Sequence, residues 1–125
     1  MRIKSIRIDD IVITNHLGEK KGTASGLWGI PIKDIFKTVQ FNADNPKLLS
    51  TYYFVFVASD GYNVVYSWNE IFNTLTGENT YIIVQKDNKQ LSDMEDRILA
   101  VTRTDFRTGR RFIKGLSKII VQKVP

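Results

Sequence analysis

TYYFVFVASDGYNVVYSWNEIF, Thr51 to Phe72, is the stretch from which the fold can be read. Tyr52 to Ala58 is apolar at successive positions and rich in aromatic and β-branched side chains, which predicts a strand covered on both faces at the centre of a sheet. Asp60-Gly61 is the chemistry of a tight hairpin turn, and Tyr62 to Tyr66 returns as the partner strand. A helix follows at once. Ser67-x-x-Glu70 has capping-box spacing, in which the serine oxygen accepts from the Glu70 amide while the Glu70 carboxylate reaches back to the Ser67 N–H. Tyr66 and Ile71 flank the cap as a hydrophobic staple, and Gly77 stands where a left-handed residue would end the helix.

Upstream, Gly29-Ile30-Pro31 opens a second helix, because proline in the first turn forgoes an N–H that has no partner there. Ile32, Ile35, Phe36 and Val39 recur at helical spacing and define its buried face. Phe41 to Leu49 is a surface connection. Toward the N-terminus, Arg2 to Ile8 and Ile11 to Ile13 predict two short strands, the first at a sheet edge, with Thr14 to Gly26 an exposed loop. Downstream, Thr80 to Lys86 and Arg97 to Thr102 predict strands, the first closed by an Asp87-Asn88 turn. Arg111 to Leu116 reads as a short strand or turn, and Lys118 to Val124 as the last strand. The sum is one α+β domain over residues 1–125, mostly strands with two main helices.

Composition narrows the function classes. With no cysteine among 125 residues, disulfides, thiolate metal ligands and thiol nucleophiles are excluded together. No apolar run approaches the ~18 residues of a membrane span, so a soluble protein without a membrane role is expected. It would be cytoplasmic if the chain is complete and exported if a leader has been removed. Eighteen Lys and Arg against thirteen Asp and Glu leave a formal charge of +5, which favours anionic partners.

That charge is concentrated between Arg103 and Lys114, RTDFRTGRRFIK. Arg103, Arg107, Arg110 and Arg111 can converge on one rim around Gly109 and hold a phosphate or another small anion, or they can be ordinary charge on a solvated hairpin. Nucleic acid is disfavoured, because Tyr52, Phe54 and Phe56 read as interior and no helix carries a basic stripe. His16 is the single histidine, so it makes no metal site; it is structural or exposed, or it donates to an anion under the loop. Asp93, Glu95 and Asp96 lack calcium-loop spacing and read as a solvated loop. Neither a nucleophile elbow nor a dinucleotide or Walker sequence occurs, which leaves a hydrolase built on His16 as a weak third reading.

Several segments, taken in order, resemble the molybdopterin-binding domain of the sulfite-oxidase family. Gly29-Ile30-Pro31-Ile32-Lys33-Asp34-Ile35-Phe36 resembles its glycine-hydrophobic-proline opening to a helix, and Ala58-Ser59-Asp60-Gly61-Tyr62 with Ser67-x-x-Glu70 its Asp-Gly-Tyr hairpin and helix. Asp87-Asn88-Lys89-Gln90-Leu91 stands where the family has Asp-Gly-Lys-Pro-Leu, and Arg97-Ile98-Leu99-Ala100-Val101 where it has an Arg-Leu-Val-Val strand. Arg111-Phe112-Ile113-Lys114-Gly115-Leu116 resembles its Arg-x-Val-Lys-x-Leu segment. The resemblance implies an α+β fold of that type and a pterin cofactor, molybdopterin, held in part by Arg111 and Lys114. Arg110, Arg107 and Arg103 join them from the charge argument alone. Asn15 and His16 fall in the region of the family's metal-binding cysteine segment.

Active members of the family ligate molybdenum through a cysteine thiolate, which this chain lacks, so thiolate-ligated molybdenum and sulfite oxidation are not expected. Two functions compete. One is an oxidoreductase-like domain that holds a pterin phosphate or other small anion; the other is a non-enzymatic module whose basic face meets an acidic protein or nucleic acid.

Overall fold

The computed structural model describes residues 4–125; Arg2 and Ile3 of the expected first strand lie outside them. In chain order the regular elements are β1 (Ile6–Ile8), β2 (Ile11–Thr14), β3 (Lys20–Ala24), β4 (Leu27–Pro31), α1 (Ile32–Phe36), β5 (Tyr52–Ala58), β6 (Asn63–Ser67), α2 (Trp68–Phe72), α3 (Leu75–Glu78), β7 (Thr80–Lys86), β8 (Lys89–Gln90), β9 (Leu99–Thr102) and β10 (Leu116–Lys123). Strands dominate and the helices are short, which is the α+β class expected. No helix among the described residues is long and apolar enough to cross a membrane.

All pairings are antiparallel. A five-stranded sheet runs β1-β4-β7-β8 with β9 also paired to β7; a second sheet is β10-β5-β6, and β2-β3 is a separate hairpin. β1 is an edge strand, as its alternating charge requires.

The hairpin of β5 and β6 and the helix after it form as the sequence dictates. Ser67 Oγ accepts from the Glu70 amide at 3.0 Å, and Glu70 Oε1 accepts from the Ser67 amide at 2.9 Å. Tyr66 and Ile71, the two staple residues, are both fully buried. β5 is central in its sheet, but its coverage differs from expectation. Tyr52, Phe54, Phe56 and Ala58 are buried, whereas Tyr53, Val55 and Val57 on the opposite face are only half-buried. The strands buried on both sides are β7, over Thr80 to Ile83, and its neighbour β9. Ile82 joins the core formed with Phe36, Phe54, Phe56, Tyr66 and Ile71, while Tyr81 and Ile83 join a second core with Ile8, Ile11, Leu27, Leu99 and Val101. Alternation along one strand therefore feeds two cores, because a strand inside a sheet sends successive side chains to opposite faces.

Three further expectations are corrected. Thr14 to Gly26 is not an open loop: Lys20–Ala24 forms β3, whose Ala24 is buried opposite Ile11. Leu27–Pro31 is a strand, so the proline serves as the N-cap of α1 instead of lying inside its first turn, and α1 stops at Phe36. Gly77 is not a left-handed stop. It lies within α3, where an added Cβ would fall 1.6 Å from the Ile71 carbonyl oxygen, so its role is to let α3 lie directly on the end of α2. The helix ends at Asn73, and Thr74 starts the next by accepting from the Thr76 amide.

Candidate functional site

The basic segment is fixed to the β2-β3 hairpin by a short 3-10 turn, Thr108–Arg111. Thr108 Oγ1 donates to the Val12 carbonyl at 2.8 Å and accepts from the Thr14 amide at 3.0 Å. The Gly109 amide donates to Thr14 Oγ1 at 3.1 Å, and a Cβ at Gly109 would come within 2.0 Å of the Thr14 carbonyl oxygen. Only glycine permits this approach. Its amide is thereby spent on Thr14 and is not turned toward a ligand, as the sequence had suggested.

The same clamp brings Asn15 and His16 beside the arginines. Arg110 Nε donates to the His16 carbonyl at 2.7 Å, and Tyr62 Oη donates to the Arg110 carbonyl. The His16 ring rests against Tyr62 at 5.8 Å between centroids. Asn15 shapes the turn: its Oδ1 accepts from the Leu17 and Glu19 amides at 3.0 Å each, and its Nδ2 donates to the Glu19 carboxylate at 2.9 Å. Its polar atoms are committed locally.

Arg111 faces inward. Nε and Nη2 donate to the two Asp105 carboxylate oxygens at 2.7 and 2.6 Å, and Nη1 donates to Glu70 Oε2 at 2.8 Å. Its guanidinium lies over the Tyr66 ring at 4.5 Å. The hydrogen bonds to Asp105 hold the guanidinium still further above its ordinary range, against the opposing effect of burial. Behind it, burial pushes the Tyr66 hydroxyl up to about 12. That hydroxyl heads a chain whose direction is fixed from its far end. Thr80 donates to the Thr76 carbonyl at 2.8 Å, so it accepts from Thr102 at 2.8 Å, which in turn accepts from Tyr66 at 2.7 Å.

Outward, an open depression of about 530 Å³ is lined by Asp105, Phe106, Arg107, Arg110 and Arg111. Among the described residues no carboxylate pairs with Arg107 or Arg110. Phe106 is fully exposed beside them. Sequence reasoning missed Phe106; the available signal was a large aromatic residue set between Asp105 and Arg107 in an otherwise polar turn. Two unpaired guanidinium groups and an uncovered ring can grip an anionic group and stack on a planar one.

The remaining candidates lie elsewhere. Arg103 approaches Asp9 at 3.7 Å. Lys114 approaches Asp96 at 3.7 Å and shares the Phe112 ring with Lys86, at 5.8 and 5.9 Å respectively. The fold thus gathers Arg107, Arg110 and Arg111 with the Asn15-His16 turn, and sets Lys114 against a different carboxylate. Among the described residues no three His, Asp or Glu side chains cluster as a metal would need. Comparison with known proteins finds no match: no family model, curated protein or solved structure aligns with the chain.

Proposed function

We propose that this domain binds a small ligand that carries a phosphate or equivalent anion on a planar ring, of the pterin-phosphate kind, at the depression beside Phe106. Its scaffold, on this reading, is of the sulfite-oxidase molybdopterin-binding type. The observation that carries the proposal is the fully exposed Phe106 flanked by Arg107 and Arg110, whose guanidinium groups lack carboxylate partners among the described residues. Arg107 and Arg110 supply charge-assisted hydrogen bonds to the anion, and Phe106 supplies a stacking face. Arg111 acts beneath them by fixing Asp105 and the end of the turn. The anionic half of a pterin cofactor suits these side chains. A thiolate-held metal does not, in a chain with no cysteine, so no redox step is assigned.

The test is recovery of the pterin. Protein expressed in a cofactor-producing host is denatured and the released pterin is read by fluorescence, for the native chain and for Arg107→Ala/Arg110→Ala. Stoichiometric pterin from the native chain and loss of most of it from the double variant is the expected result. Equal recovery from both, or none from either, removes the proposal.

Exposure of Phe106 also favours a second reading, in which the same face stacks on a base of single-stranded nucleic acid. Binding of a short single-stranded oligonucleotide that falls steeply with salt and disappears in Phe106→Ala would support that reading over the first.

A further inference from the structure

We propose a second binding site, separate from the depression beside Phe106, for a small amphipathic monocarboxylate held by Arg97. A cavity of about 390 Å³ is lined by Leu91, Ile98 and Leu116, by Ser59 and Ser92, and by Arg97, with Gly115 and Ser117 completing its wall. It shares no lining residue with the other depression.

Arg97 is the unusual member. Its backbone sits at φ +52, in the left-handed region where glycine or asparagine is the undemanding choice. Apart from the Asp87-Asn88 turn, it is the only non-glycine residue there among the described residues. A long cationic side chain in such a position is maintained at a conformational cost, and the side chain is the one thing glycine could not supply. The neighbouring acid does not account for it. Asp96 is taken by Lys86 at 2.7 Å and by Lys114 at 3.7 Å, and no carboxylate pairs with Arg97 among the described residues.

The walls are held in advance of any ligand. The Gly115 amide donates to the Asp96 carbonyl and the Leu116 amide to the Ile98 carbonyl, both at 2.8 Å, while the Ser59 amide donates to the Gly115 carbonyl at 2.8 Å. Leu91 and Ile98 remain exposed at 38% and 40%, giving an apolar body a place to rest. Neither the Ser59 nor the Ser92 hydroxyl has a hydrogen-bond partner within the protein among the described residues, so both are available to a bound oxygen. A single guanidinium matches a single negative charge in the planar, two-oxygen form of a carboxylate.

Octanoate is the probe, with octanol as its neutral counterpart, each titrated into the isotope-labelled full chain and followed by amide chemical shifts. Saturable shifts at Arg97, Ile98, Gly115 and Leu116 are expected with octanoate, and binding about tenfold weaker with octanol. Arg97→Gly relieves the left-handed strain, so it should raise Tm while weakening octanoate about tenfold; Arg97→Asn, which also tolerates that region, repeats the test in a second background. Arg107→Ala/Arg110→Ala should bind octanoate unchanged, which separates this site from the other. Octanoate binding as tight in both Arg97 variants as in the native chain, or shifts confined to other residues, or no saturable shift at all, overturns the proposal.

Discussion

Arg110 and Arg111 are adjacent in sequence and opposite in circumstance. Arg111 is tied to Asp105 and Glu70 and lies over Tyr66; Arg110 gives one N–H to the His16 carbonyl and keeps its remaining donors toward solvent. The difference teaches that positive charge counted along a chain is not charge available to a ligand. Each carboxylate that folding brings in subtracts one cation from the surface and adds one fixed point to the interior. On that accounting Arg111 belongs to the architecture, and Arg107 and Arg110 to recognition.

The contrast can be broken most forcefully at Arg111. Arg111→Ala leaves Asp105 and Glu70 without their shared cation in a partly buried setting, and should lower unfolding free energy by about 3 kcal/mol in a urea titration. A loss as small as that of Arg110→Ala would erase the distinction. Alkaline titration is the next largest effect. Tyr66 in the folded chain holds its proton to about 12, against an ordinary value of 10.0. The stability tied to that proton is complete below pH 10.0 and is lost as pH rises toward about 12, because the unfolded chain ionises first. The decline should amount to about 2–3 kcal/mol, and Tyr66→Phe should flatten it. Glu70→Gln retains an oxygen for the Ser67 amide but discards the charge facing Arg111, so about 1 kcal/mol is expected from the same urea measurement. Arg107→Ala should change stability by less than about 0.5 kcal/mol while it impairs ligand binding, which is the sharpest statement of the contrast.

How much of this could be read from residue order depends on how far apart the partners lie. The capping box spans four consecutive residues and needs no tertiary knowledge, so Ser67 and Glu70 declared themselves. The hairpin at Asp60-Gly61 did so for the same reason. β3 did not, because Lys20, Lys21 and Gly22 are residue types that strands disfavour; they are strand because β2 lies alongside. Gly77 was legible as a special glycine but not for the right cause, since a close backbone contact and a left-handed turn select the same residue type. At the candidate site the cations were visible as letters. Which of them remain free was not, because the carboxylates that claim Arg111 stand 6 and 41 positions away. Phe106 stands in a turn, and an aromatic letter in a turn does not tell whether folding will cover it or leave it exposed.

β7 sends Ile82 into one apolar cluster and Tyr81 and Ile83 into the other, so neither cluster has an independent existence. Withdrawing that one segment would open both at once. The two halves should therefore melt together, and calorimetry should record a single endotherm whose van't Hoff and calorimetric enthalpies coincide.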